Sequence, residues 1–132
     1  MKSDLKIPVV KGVEVVALKR NDDEQLWDIV VINRNSYPLE NVLIASKGYG
    51  DIDGEKQETS ILRHRIENLP PNSYAKIEPI QKEVFHLTNE YWVSYFFNSQ
   101  MYDRKYLFPS DSIQSEKALK IHGFDFIGIV SE

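Results

Sequence analysis

The sequence predicts an all-β domain, folded as an antiparallel β-sandwich of seven or eight strands, with a small β-barrel as the alternative. Three observations lead to this prediction. β-rich apolar runs recur along the chain, turn-forming residues separate them about every ten residues, and almost no segment has helical periodicity. Aromatic residues make up 11% of the chain, including seven tyrosines, which suits a sheet because flat rings pack well across pleated faces.

The length and the cysteine content indicate how the chain is organised. With 132 residues there is room for one hydrophobic core, so we expect a lead-in over residues 1–11 and a single domain over residues 12–132. The chain has no cysteine, which excludes disulfides, thiolate metal sites and cysteine nucleophiles. No apolar run has the length of a signal peptide or a membrane span, so we expect a full-length product to be cytoplasmic and independent of membranes.

The charge argues against nucleic acid as a partner. The formal net charge is −4 and the isoelectric point is near 5.4, whereas a nucleic-acid-binding domain normally carries a basic excess. The acidic residues are scattered rather than grouped, so an acidic tail is not expected either.

The stretch from Gln25 to Gly50 predicts a hairpin at the centre of an antiparallel sheet. Leu26 to Ile32 is an apolar run, Asn33 to Pro38 supplies turn-forming residues, and Leu39 to Lys47 returns as a strand. The first of these runs is apolar on both faces, which indicates a central strand or one covered on both sides. After it, the glycines between Gly48 and Gly54 are expected to end the regular structure.

The remaining segments complete the sheets. The best-defined hairpin joins an arm ending at Phe97 to an arm starting at Met101, and the strand around Arg63 carries charge typical of a sheet edge. A helical turn is expected only between Gln81 and Asn89. The expected strands cover Val13 to Leu18, Gln57 to Asn68, Tyr74 to Ile80, Glu90 to Phe97, Met101 to Phe108 and Gly123 to Val130, with an irregular crossing from Ile113 to Leu119.

One local motif resembles a known family. The stretch Leu69-Pro70-Pro71-Asn72-Ser73-Tyr74-Ala75-Lys76-Ile77 resembles the leucine-proline-tyrosine corner of fibronectin type III and immunoglobulin-like modules. The resemblance implies an immunoglobulin-like sandwich in which the tyrosine bonds back to the corner, although Tyr74 comes one residue earlier than in the usual pattern. The whole chain also resembles small uncharacterised bacterial β-sandwich proteins of this type, a group that implies no particular activity.

Three acidic residues at alternate positions form the candidate metal site. Asp51, Asp53 and Glu55 lie beside glycines, and calcium loops combine alternating oxygen ligands with a glycine turn. The twelfth position counted from Asp51 is Leu62 rather than a bidentate glutamate, so the EF-hand pattern is not met. A solvated hairpin loop is the favoured interpretation, and no cofactor is expected.

Arg63-His64-Arg65 is the most concentrated positive segment. Two arginines on one strand face could bind a carboxylate or a phosphate, since each guanidinium presents a planar fork of hydrogen-bond donors. The competing interpretation is an edge strand kept soluble by charge. By alternation His64 falls on the apolar face, where a hydrogen-bonded, partly buried state is expected.

The aromatic hairpin is the second candidate surface. Tyr91 and Tyr95 share one face of its first arm, and Tyr102, Arg104 and Tyr106 share one face of its second arm. One aromatic face must belong to the core. If the other is exposed, it would mark a protein interface or a platform for sugars.

These observations favour binding over catalysis. No nucleophile elbow, P-loop or dinucleotide fingerprint is present. The leading interpretation is a non-catalytic module that binds a protein partner or self-associates, with a homodimer as one form. The alternatives are a small-ligand or carbohydrate binder, and a hydrolase whose site would need a cleft holding a titratable pair.

Overall fold

The protein is an antiparallel β-sandwich, as described by a computed structural model covering residues 8–132. Ten strands occur in this range, two more than the upper expectation, because two short strands are added at sheet edges. Within the described range no helix combines the length and apolar character needed to cross a membrane. The strands are β1 Val13–Lys19, β2 Leu26–Asn33, β3 Leu39–Ile52, β4 Glu55–Glu58, β5 Leu62–Leu69, β6 Ser73–Gln81, β7 Thr88–Phe97, β8 Gln100–Phe108, β9 Leu119–Lys120 and β10 Ile127–Val130, with 3-10 turns at Lys82–Val84 and Ser115–Lys117.

The strands form two sheets that face each other across one core. Sheet I has the order β6-β2-β1-β10-β9, and in sheet II both β4 and β5 pair with one side of β3, which is followed by β7 and β8. The core draws on both sheets, with Trp27 and Ile29 from sheet I packing against Ile44, Tyr91 and residues near them in sheet II. Burial of these side chains is the main stabilising contribution, at about 25 cal/mol for each Å² removed from water.

The predicted central hairpin is wrong. Strands β2 and β3 belong to different sheets, so the segment between them carries the chain across the sandwich. Asn33 fixes this crossover, because its side-chain nitrogen donates to the carbonyls of Tyr37, Leu69 and Pro70 at 2.9, 3.2 and 3.0 Å. The turn-forming residues therefore make an inter-sheet connection, although β2 is a central strand as expected.

The expected break at Gly48 is also wrong. Strand β3 runs on to Ile52, and the reversal comes at Asp53 and Gly54, whose φ angles are +50° and +82°. Gly48 and Gly50 lie against Leu87, where a side chain would be crowded, so these glycines allow close packing rather than a turn. The single strand expected from Gln57 to Asn68 is two strands, β4 and β5, with a break between them.

The β7–β8 hairpin is confirmed. Asn98 and Ser99 form its turn with φ angles of +53° and +62°, the left-handed pair that matches the twist of a two-residue hairpin loop. The charged strand β5 is an edge of sheet II, as predicted, since it pairs only with β3.

The Leu69–Pro70 corner is held from the opposite side of the crossover. Its carbonyls accept hydrogen bonds from Asn33. Tyr74 is about half exposed, and its ring packs edge-on against Phe124 and Phe126. The immunoglobulin-like assignment that this motif suggested stays a prediction.

The two ends of the chain differ in what the structure describes. Of the predicted lead-in, residues 1–7 lie outside the described part, and Val10 packs into the core ahead of β1. Near the C-terminus, Ile121, Phe124 and Phe126 cover the outer side of sheet I, where Val16, Val30 and Ile32 form a second apolar cluster.

Candidate functional site

The tyrosines predicted to form an interaction surface face the core. Tyr91, Tyr95 and Tyr106 are buried, so they offer no surface to a partner of the folded chain. The Tyr106 hydroxyl donates to the carbonyl of Val13 at 2.9 Å and thereby joins the two sheets. Tyr95 stacks on Tyr102 with ring centroids 5.2 Å apart.

Burial also keeps these phenols protonated. It raises the pKa of Tyr106 to about 12 and raises the pKa of Tyr95 above its ordinary value. The pKa of Tyr91 is raised first by burial and then by the negative charge of Glu78. The three hydroxyls therefore remain neutral donors throughout the physiological pH range.

The outward side of sheet II carries the exposed aromatic surface. We call it the open face and define it by the side chains of Leu43, Trp92, Phe96 and Met101, all of them exposed; Trp92, at its centre, is 44% exposed. Trp92, Phe96 and Met101 alternate with inward-facing tyrosines along β7 and β8, because successive side chains of a strand point to opposite faces, and Leu43 lies on the neighbouring strand β3. The hairpin thus has one aromatic face in the core and a second one outside.

Strand β5 brings the predicted arginine pair to the edge of this face. Arg63, Ala45, Trp92 and Lys105 form one row across the sheet, and Arg65, Leu43, Ser94 and Asp103 form the next. Ala45 is small, so a shallow groove of about 280 Å³ lies over it between Arg63 and Trp92. On the other side of the indole, the Lys105 ammonium lies 4.7 Å from the Trp92 ring centroid.

The cations of the open face have no acidic partner. Among residues 8–132, neither arginine of the pair nor Lys105 forms an ion pair with a carboxylate. Arg65 donates only to the amide oxygen of Asn41, at 2.8 Å. Arg104 lies at the hairpin edge, with its guanidinium 4.7 Å from the Tyr106 ring centroid.

A second site lies inside the sandwich, where β5 and β6 meet at one edge. An extra residue in β6, Ile77, bulges opposite the Ile29–Val30 step of β2, so that Glu78 pairs with Ile29 and faces inward. A bulge re-aims side chains in this way because it shifts the two-residue alternation by one. Without it, Glu78 would point to solvent.

Glu78 is the centre of a hydrogen-bonded cluster that joins the sheets. Its Oε1 accepts from Ser46 Oγ at 2.9 Å and from His64 Nε2 at 2.7 Å, and its Oε2 accepts from the Tyr91 hydroxyl at 3.0 Å. Because an ionised carboxylate only accepts hydrogen bonds, the proton of this contact belongs to His64 Nε2. His64 is therefore hydrogen-bonded and partly buried, as predicted.

The cluster contains the residue types of a catalytic triad in a different connectivity. In a triad the serine donates to the histidine, and the carboxylate orients that histidine from its far side. Here both Ser46 and His64 bond to the same carboxylate oxygen, and Ser46 is buried. This arrangement supports ligand binding better than nucleophilic attack.

The acidic residues of the β3–β4 hairpin are spread over solvent-exposed positions. Asp51 pairs with Lys56 across the hairpin, and Glu55 pairs with Ile52. Asp53 occupies the turn. Within residues 8–132, no group of three acidic or histidine side chains is arranged to hold a metal ion.

Comparison with known protein families and with curated proteins finds no match for this chain.

Sequence reasoning missed Glu78 and Trp92 as site residues. Alternation from Ala75 and Ile77 predicts that Glu78 points outward. The sequence signal against this was the three-residue spacing between Ile77 and Ile80, both of which are buried, because inward-facing residues three apart indicate a bulge. For Trp92, the sequence could not decide which aromatic face of the hairpin would be buried.

Proposed function

We propose that this protein is a non-catalytic interaction module that self-associates as a symmetric dimer through the open face. One observation carries the proposal: the open face combines exposed apolar side chains with cations that have no acidic partner among the described residues. Exposed apolar patches bordered by charge are typical of protein interfaces.

The register of sheet II supports a second copy as the partner. Consider a two-fold axis parallel to the strands and midway between β3 and β7. Each row of one copy then faces the same row of the other copy in reverse order, as an isologous interface requires. In the second row, Arg65 faces Asp103 of the partner subunit, and Asp103 faces Arg65 of the partner subunit.

The same axis matches the apolar positions of the first row. Trp92 faces Ala45 of the partner subunit, so a large ring meets the groove over a small side chain. Arg63 faces Lys105 of the partner subunit at the rim, where long side chains can turn into solvent. A two-fold axis perpendicular to the strands would instead stack the two β5 strands and oppose their arginines, which disfavours it.

The size of the face indicates a weak dimer. From strand spacing and rise, the face measures roughly 15 by 20 Å, so each copy contributes a few hundred Å². A standard interface contributes about 800 Å² per partner. We therefore expect a monomer–dimer equilibrium that depends on protein concentration.

The mass in solution tests the proposal. The mass is measured by light scattering coupled to size exclusion, over a series from micromolar to millimolar protein. It is expected to rise from the 15.4 kDa of the monomer towards twice that value. Leu43→Glu places a charge among the apolar side chains of the open face and is expected to remove the rise. Leu119→Glu is the matched control, since Leu119 is also exposed but lies on β9 of sheet I.

Two results would overturn the proposal. One is a mass that stays monomeric across the whole series. The other is an equal rise in the wild type and in Leu43→Glu, which would put any association on another surface.

The alternative functions have less support. A sugar platform built from Tyr102 and Tyr106 is disfavoured because Tyr106 is buried and Tyr102 stacks on Tyr95. A hydrolase is disfavoured by the connectivity of Ser46, His64 and Glu78.

A further inference from the structure

A pocket opens between the sheets, away from the open face. It occupies about 240 Å³ and lies between β3 of sheet II and β6 of sheet I, next to the start of β5, at the edge where β5 and β6 are both terminal strands of their sheets. The side chains and backbone around it include Gly48, Leu62, Ile80 and Asn89, together with Glu78 and Tyr91 of the polar cluster.

The pocket contains a carboxylate that lacks a permanent cation. The Glu78 side chain is only 12% exposed, and its hydrogen-bond donors are a serine, a tyrosine and a histidine. Lys47 also borders the pocket, but its ammonium lies over the outward-facing Tyr49 ring, 5.6 Å from the ring centroid. Within residues 8–132, His64 is the one basic side chain within ion-pair distance of Glu78, with Nε2 2.7 Å from Oε1.

The pocket also offers a second hydrogen-bond acceptor and apolar walls. The Asn89 side-chain nitrogen donates to the carbonyls of Val84 and Leu87, which leaves its Oδ1 as an acceptor facing Gly48. Leu62, Pro79, Ile80 and Val84 supply apolar walls. A carboxylate with one lightly used oxygen, a second acceptor and apolar walls fits a ligand that has a cationic donor and a short hydrocarbon body.

We propose that the inter-sheet pocket binds a small organic cation, a primary ammonium on a short apolar chain, with Glu78 as its counter-ion. Tyr91 and Ser46 hold the carboxylate in place, since each donates to one of its oxygens. The volume admits roughly eight non-hydrogen atoms if each takes about 30 Å³, the share of a water molecule in liquid water. The binding does not depend on the dimer, because the pocket and the open face lie on opposite sides of sheet II.

An NMR titration with n-butylammonium chloride tests the proposal. In ¹H–¹⁵N spectra of the wild type, the amides of Gly48, Thr59 and Asn89 are expected to shift in a saturable way at millimolar ligand, while the Ser94 amide on the open face does not. The neutral probe 1-butanol and the anionic probe sodium butanoate are expected to bind at least tenfold more weakly.

Three variants assign the binding to Glu78. Glu78→Gln keeps the shape of the side chain and is expected to weaken the binding of n-butylammonium at least tenfold. Glu58→Gln, at an exposed residue on β4, is the charge-matched control and is expected to leave the binding unchanged. Leu62→Arg puts a guanidinium at the half-exposed mouth of the pocket and is expected to block the ligand while leaving the carboxylate intact. Leu62→Arg keeps the test informative if Glu78→Gln does not fold.

The result that supports the proposal is saturable binding that both Glu78→Gln and Leu62→Arg abolish. Equal binding of n-butylammonium and 1-butanol would overturn it, because the pocket would then be only an apolar cleft. Shifts that survive both variants, or that map to Asp51 and Glu58 on the outer surface, would also overturn it.

Discussion

The outer sides of the two sheets are both apolar, but only the outer side of sheet I has its cover within the described chain. On sheet I, Ile121, Phe124 and Phe126 pack over Val16, Val30 and Ile32. On sheet II, Leu43, Trp92, Phe96 and Met101 are exposed. Apolar side chains occur on both surfaces, so composition alone does not distinguish a covered face from an interface.

The charged side chains of the two faces also differ, in whether they have partners within the described chain. On the outer side of sheet I, Arg20 and Lys76 pair with Asp28, and Arg34 pairs with Glu14. Arg34 also donates to the carbonyl of His122, at 2.8 Å, and so fastens the covering segment. The cations of the open face have no such partners among the described residues. One face is therefore largely covered within the described chain, and the other is the face on which we propose that a second copy binds.

The largest expected difference between the faces is in stability. Ile121→Ala removes a buried side chain from the cover of sheet I and is expected to lower the free energy of unfolding by about 2–4 kcal/mol, through lost apolar burial and the cavity left behind. Leu43→Ala on the open face is expected to change it by less than about 0.5 kcal/mol, as for other exposed positions. Urea denaturation at micromolar protein, where we expect the chain to be monomeric, measures both values.

A large loss of stability for Leu43→Ala in the dilute monomer would contradict this comparison. It would mean that the open face is already packed within one chain. A negligible loss for Ile121→Ala would mean that the covering segment contributes little to the fold.

A smaller, pH-dependent effect is expected from the ion pairs of sheet I. The two hydrogen bonds from Arg20, at 2.9 and 2.7 Å, lower the pKa of Asp28, and the nearby Lys76 lowers it further. An acid whose pKa is lowered on folding stabilises the protein above its ordinary pKa, and this contribution is lost as the pH falls through the lowered value.

Asp28→Asn is therefore expected to reduce the urea midpoint at pH 7 and to match the wild type at strongly acidic pH. Asp103→Asn on the open face is the control, since Asp103 forms no ion pair in the described part of one chain. Parallel curves of midpoint against pH for wild type and Asp28→Asn would show that the pair does not contribute.

The sequence predicted local structure better than it predicted which strands pair. Strand composition and turn residues gave the all-β class and the β7–β8 hairpin, because both depend on residues close in sequence. The β2–β3 connection was misassigned, because Asn33 decides it through contacts with Leu69 and Pro70. Those contacts are distant in sequence and leave no local pattern.

The sites were predicted only in part. Arg63 and Arg65 were identified correctly as an exposed pair on an edge strand, and His64 as a hydrogen-bonded, partly buried side chain. Tyr91 and Tyr106 were placed on a candidate surface and are in the core. Alternation separates the two faces of a strand, but which of them is buried depends on the opposite sheet.

A charge-swap cycle tests the open-face dimer most directly. Arg65→Asp and Asp103→Arg each place like charges opposite each other twice in the symmetric dimer, so each is expected to raise the dimer dissociation constant about tenfold or more. The double variant Arg65→Asp/Asp103→Arg restores opposite charges and is expected to recover most of the wild-type affinity in sedimentation equilibrium. If the losses of the two single variants simply add in the double variant, Arg65 and Asp103 do not meet across the dimer, and the proposed open-face dimer is wrong.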